Sequence, residues 1–184
     1  NVGRKVTVIG TKDADGVRFY QVRVSANTIG WVQSEAIIGQ FRKDDDLLLF
    51  KLIQAANGFD QVDKTMIFLE EFPDSRLRPS ILLLLGDLME EAALELSTKA
   101  PGKMDRREMA ASGAPLHSFY LNFSGLDRYG KLGVRFLFNI NTMSYHYDGD
   151  SWFEIVRRFP ESSEAVEAQK RLDVLKEMME KKKE

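Results

Sequence analysis

His117 and His146 are the first residues to test for chemistry, because imidazole is the side chain best matched to neutral-pH proton transfer and nitrogen ligation. His146 stands near Asp148 and Asp150, a set that would suit a metal if its spacing matched a ligand pattern. It does not, and Asp148-Gly149-Asp150 reads as turn chemistry. Asp13-Ala14-Asp15-Gly16 resembles the centre of a calcium loop. Setting Gly16 at the required glycine puts Thr11 at the first ligand and Val22 where a bidentate glutamate belongs, so the segment is a hairpin turn. Gly149 fails the same test, with Ser144 first and Ile155 last. Cysteine is absent, which removes thiol nucleophiles, disulfides and sulfur metal sites together. The chain has no Gly-x-Ser-x-Gly elbow, no His-Glu-x-x-His helix and no phosphate-cradling glycine loop. Glu70-Glu71 and Glu90-Glu91 are helix neighbours that diverge by about 100 degrees, and they read as solvated faces rather than acid–base pairs. The sequence therefore predicts no enzyme, no cofactor and no metal.

The aromatic residues are the better candidates for recognition. Trp31 reads first as the large apolar anchor of a short sheet and second as the wall of a groove for a peptide or sugar. Phe19 and Tyr20 share the ambiguity, since strand alternation turns one inward and the other outward. The run Phe119, Tyr120, Phe123, Tyr129, Phe136, Phe138, Tyr145 and Tyr147 is denser than a plain helical core requires. Core packing is its default role, and any member facing a groove would anchor a partner. The partner-binding candidates are Trp31, Tyr20, Phe138, Tyr145 and Tyr147.

The elements that must position these residues follow from hydrophobic period. Residues 1–40 carry short strand patterns: Val6 and Val8, then Val17–Val24, then Ile29–Val32, with turns at Asp15-Gly16 and Ala26-Asn27. Four short extended pieces with tight turns are expected over this segment in all, which predicts a small barrel or meander. From Lys43 the period is helical. Asp44, Asp45 and Asp46 suit a helix start, Asn57-Gly58 a stop, and Phe72-Pro73 ends the next helix. Leu77, Ile81, Leu84, Leu85, Leu88 and Ala92 give a third helix one buried stripe. An irregular insert is expected near 98–118, and a helix over 126–145. A helix over 151–158 follows, and a last helix carries Ala168, Leu172, Leu175 and Met179 on a narrow seam.

One pattern recurs. Ile67 to Ser75 (IFLEEFPDS) returns as Glu154 to Ser162 (EIVRRFPES), each copy leading into a long amphipathic stretch. Repeated helix–turn–helix units suggest stacked pairs, an architecture that mostly binds proteins. The formal net charge of −2 gives no electrostatic case for nucleic acid. No apolar run approaches the roughly 18 residues that span a bilayer. The start at Asn1 rather than methionine leaves room for a signal peptide or lipid anchor upstream.

Two resemblances sharpen this. Gly3-Arg4-Lys5-Val6-Thr7-Val8, Arg18 to Val24 and Ile29-Gly30-Trp31-Val32 resemble the bacterial SH3 domain, with Gly30-Trp31-Val32 the most specific part. That resemblance implies an envelope location and a cell-wall peptide or envelope-protein ligand; the family's opening strand has no counterpart, so an incomplete version is expected. Phe72-Pro73-Asp74-Ser75 with Leu85-Gly86-Asp87, and Tyr147 through Phe159-Pro160 to Leu172, resemble the joints of tetratricopeptide-like repeats in bacterial envelope lipoproteins and coordinators. This implies a concave surface for a partner's helix or tail. The expected fold is α+β, a small SH3-like β-barrel or meander over 1–40 followed by an all-α tetratricopeptide-like array over 44–184. The expected function is a non-enzymatic scaffold of the bacterial periplasm or cell envelope, docking another protein on its helices. The alternative is a cell-wall binding module working through the SH3-like segment.

Overall fold

The computed structural model describes residues 5–40, 42–99 and 127–180. The chain divides into two compact units, Asn1–Ser75 and Arg76–Glu184, and its class is α+β. Most of the expected insert at 98–118, His117, the aromatics Phe119, Tyr120 and Phe123, and the lysine tail lie outside the described residues.

The first unit opens with a three-stranded antiparallel meander, β1 (Thr7–Ala14), β2 (Val17–Ser25) and β3 (Thr28–Gln33), in the order β1-β2-β3. Three strands stand where four extended pieces were expected. Asp15 and Gly16 join β1 to β2 with φ of 51° and 74°. Two successive left-handed residues make the hairpin turn whose twist matches the flanking strands. A register shift between Val8 and Gly10 re-phases β1 against β2. The helices α1 (Asp45–Ala55) and α2 (Gly58–Glu71) follow in the same unit as the sheet. Tyr20 and Val22 from the sheet, and Leu49, Ile53, Val62 and Phe68 from the helices, are its buried apolar residues.

A buried carboxylate ties the linker to α1. Asp45 accepts the Gly39 backbone N–H at 3.1 Å through Oδ2 and the Arg42 Nε–H at 2.7 Å through Oδ1. Arg42 in turn donates to the Ile37 carbonyl at 2.6 Å. A buried charge is tolerable only when paired and hydrogen-bonded, and this one is both. Lys5 reaches Glu70 and Glu71 of α2 at 2.6 and 3.0 Å, and these two acids hold its ammonium above the usual lysine range.

The second unit is built on α3 (Arg78–Lys99). After it the structure describes a single helical turn, α4 (Asp127–Gly130), then a β-hairpin, β4 (Phe136–Asn139) and β5 (Ser144–Tyr147), then α5 (Asp150–Arg158) and α6 (Ser163–Glu180). The hairpin corrects the expectation of a helix over 126–145, and with it an all-α 44–184. Gly133 adopts φ 81° and ends the helical turn. Asn139 Oδ1 then accepts the N–H groups of Asn141 at 2.9 Å and Thr142 at 3.4 Å, closing the connection between the strands. Met143 takes φ 56°, an uncommon left-handed conformation for a non-glycine.

Aromatic and glycine contacts organise the core of this unit. Trp152 of α5 is almost fully buried and lies directly on Gly86 of α3, where a side chain would overlap the indole. Tyr147 meets Trp152 edge-on at 5.4 Å between centroids. Gly149 adopts φ 82° at the start of α5, and a Cβ there would stand 2.9 Å from Leu172 Cδ2 of α6. Arg78 pairs with Glu154 of α5 at 2.9 Å, and Arg171 of α6 pairs with Asp87 of α3 at 2.8 Å. The repeated Phe-Pro corners are real helix ends: α2 stops at Glu71 and α5 at Arg158. They fall in different units, Pro73 near the end of the first and Pro160 inside the second.

Candidate functional site

Register assigns every residue of the meander to a face, because residues paired directly across an antiparallel ladder point the same way. Lys12 pairs with Phe19, Gln21 with Trp31, Phe19 with Gln33 and Arg23 with Ile29. These seven residues share one face. Val8 pairs with Val22, Tyr20 with Val32 and Val22 with Gly30, and they share the other. Tyr20 and Val22 retain 7% and 4% of their exposure, whereas Trp31 and Ile29 retain 42% and 49%. The second face is therefore the interior one, and the first looks out.

This settles the ambiguity of the aromatic trio. Tyr20 is core and Phe19 is half-buried on the open face. Trp31, expected as a partly buried structural anchor, keeps 42% of its exposure and is presented outward. Lys12 Nζ sits 4.5 Å from the Trp31 ring centroid and 5.6 Å from that of Phe19. A cation at that range is attracted to the ring quadrupole and holds both rings in place. The result is an apolar platform with a positive charge above it and Arg23 and Ile29 beside it on the same face. Such a surface can stack a flat or apolar group while offering hydrogen-bond donors to an anionic one. At the hairpin tip, the Arg18 guanidinium beside Asp13 holds its carboxyl below the usual carboxylate range.

The other three candidates belong to the second unit. Tyr145 and Tyr147 retain 2% and 3% of their exposure, and they are core rather than docking residues. Phe138 is half-buried and packs on Tyr145 with centroids 4.9 Å apart. The Tyr147 hydroxyl accepts the backbone N–H of Ser151 at 2.9 Å, in the first turn of α5. Burial pushes the phenol up to about 12.

One residue that reads as solvated surface in the sequence is not. Glu90, read as part of a solvated face, accepts from His146 Nδ1 and from the Tyr147 backbone N–H, each at 2.7 Å. His146 is itself buried, and Ser144 Oγ lies 3.1 Å from its Nε2. Motif spacing could not find this cluster, since Glu90 stands 56 residues from His146. Among the described residues no group of three or more histidines, cysteines or acids gathers as a metal site would require, and no helix is long and apolar enough to cross a membrane.

Residues 2–37 match the GW (Gly-Tryp) dipeptide domain, a bacterial SH3-like domain of the cell-wall-binding kind, with Gly30-Trp31 as the dipeptide of this chain. No curated protein and no solved structure matches the chain.

Proposed function

We propose that this protein is a cell-wall-binding protein whose N-terminal sheet holds the ligand on its open face, with Trp31 as the apolar anchor and Lys12 and Phe19 completing the platform. The observation that carries this reading is the outward Trp31 under Lys12, inside the segment that matches the GW domain. An exposed tryptophan whose ring is already ordered by a cation loses little conformational freedom on binding, so more of its contact energy is realised as affinity. The work belongs at the cell envelope or outside the cell.

The second unit serves this reading as a rigid body. Its α5–α6 hairpin is seated on α3 through Trp152. The β4–β5 hairpin breaks the helical series. Docking of a partner protein on an aromatic helical groove loses its anchors, because Tyr145 and Tyr147 are interior. Cell-wall binding is therefore the better-supported reading.

The test is co-sedimentation with purified bacterial cell walls. The intact protein should pellet with the walls, and Trp31→Ala should stay in the supernatant while keeping the circular dichroism of the wild type. A wild type that does not pellet, or a Trp31→Ala variant that pellets equally, overturns the proposal.

A further inference from the structure

The second unit holds an unassigned line of groups: Ser144, His146 and Glu90. Ser144 and His146 are two apart on β5, so alternation places both side chains on one face of the strand. Glu90 comes from α3. Its Oε2 is fixed by the Tyr147 backbone N–H at 2.7 Å, which leaves Oε1 to face His146 Nδ1 at 2.7 Å. A carboxylate can only accept, so Nδ1 carries the proton in this contact. In the neutral ring, Nε2 then keeps its lone pair, and 3.1 Å away lies Ser144 Oγ. Thr142 Oγ1 stands 2.6 Å from the same Ser144 oxygen. The imidazole is buried, whereas Ser144 is part-exposed at the loop end of the hairpin.

We infer that Ser144 is an activated, acyl-accepting serine, with His146 as its general base and Glu90 as the group that orients and charges the base. Hydroxyl, base and orienter in hydrogen-bonding sequence, with the hydroxyl at the accessible end, form the arrangement that makes a weak alcohol nucleophilic. With an activated ester, Ser144 Oγ bonds to the acyl carbon as its proton passes to His146 Nε2, and Glu90 stabilises the imidazolium. The carbon–oxygen bond to the leaving group then breaks, and the Nε2 proton goes to the leaving oxygen, or to solvent when that oxygen departs as a stable anion, so that Nε2 regains its lone pair. Water, giving a proton to Nε2, attacks the serine ester, releases the carboxylic acid and restores the hydroxyl. A purely structural role, in which the same contacts only satisfy buried polar groups, predicts no unusual reactivity. The inference does not depend on cell-wall binding by the first unit.

The test uses the full chain, a fluorophosphonate probe and p-nitrophenyl acetate, with labelled residues located by peptide mass mapping. Ser144 should label roughly a hundredfold faster than exposed Ser163, the scale of general-base assistance. Ser144→Ala should abolish the fast label and the ester turnover, leaving only the slow Ser163 label. Glu90→Gln should lower the labelling rate severalfold in protein that still gives a cooperative melt. Labelling of wild-type Ser144 no faster than Ser163 overturns the inference, and this comparison needs no variant to fold. A Ser144 rate unchanged in folded Glu90→Gln removes Glu90 from the relay and overturns it as stated.

Discussion

Tyr20 and Trp31 are large aromatic residues on adjacent strands, and the register predicts opposite consequences for their removal. Tyr20→Ala empties a site that is 7% exposed, and truncating a buried aromatic to alanine costs about 3–5 kcal/mol. Trp31 keeps 42% of its exposure. Its truncation gives up only part of a full side chain's burial, about 1 kcal/mol on the usual area scale. The binding effects should run the other way. An aromatic anchor at the centre of a contact surface contributes about 2–4 kcal/mol, so Trp31→Ala should weaken cell-wall affinity by roughly 30- to 1000-fold. Urea denaturation followed by intrinsic fluorescence or circular dichroism measures the first quantity. Binding isotherms on purified cell walls measure the second, with Tyr20→Ala compared only at temperatures where it remains folded. Equal stability losses in the two variants would refute the face assignment, and with it the claim that Trp31 is offered to a ligand.

Other substitutions probe the supports of each unit. Gly86→Ala should destabilise the protein by about 1–3 kcal/mol in thermal melts even though alanine is the better helix former by about 1 kcal/mol. A Cβ there would overlap the Trp152 indole, with Cδ1 only 2.8 Å away, and the indole is enclosed. Tyr147 gives a pH signature. Its folded value is raised from 10.0 to about 12 by burial, so the stabilisation is complete below the unfolded value and is lost as pH rises from 10 towards 12. Denaturation curves across that window should show the wild type losing up to about 2 kcal/mol that Tyr147→Phe does not lose. At neutral pH the same variant should be about 1–3 kcal/mol less stable, because the Ser151 N–H is left buried and unpaired. Asp45→Ala should cost about 3–5 kcal/mol by leaving the Arg42 guanidinium and the Gly39 N–H without their acceptor. Asp45→Asn should recover part of that loss, and equal stability of the two variants would count against the carboxylate as the tie.

Local signals in the sequence determine the structure where one residue type imposes one backbone conformation. Asp15-Gly16 turns because both residues accept positive φ, and Phe72-Pro73 and Phe159-Pro160 end helices because proline cannot continue them. Alternation likewise separates Phe19 from Tyr20 in any sheet. It does not say which face is covered, and that choice moved Trp31 from expected anchor to exposed platform. The segment 126–145 suggests a helix because its apolar residues satisfy helical spacing as well as strand alternation. The information that selects the strand lies elsewhere in the chain.

That selection can be traced to α3. The N–H groups of Tyr145 and Tyr147 are met by Ser97 Oγ at 2.8 Å and by Glu90 Oε2 at 2.7 Å. These acceptors lie 48 and 57 residues away in sequence. A two-stranded hairpin is marginal on its own, and an open strand edge invites wrong pairing. Here a helix supplies acceptors two turns apart that complete the edge, so the hairpin is stable only in the presence of α3. The same contact explains the Ser144–His146–Glu90 line. Once Glu90 is held by a backbone N–H, its second oxygen has a fixed position, and the imidazole across from it has a fixed tautomer. Precision at Ser144 is therefore a consequence of how the strand edge is closed, and the reactivity of that hydroxyl should fall whenever the edge contact is weakened, as in Ser97→Ala, which leaves all three residues of the line unchanged.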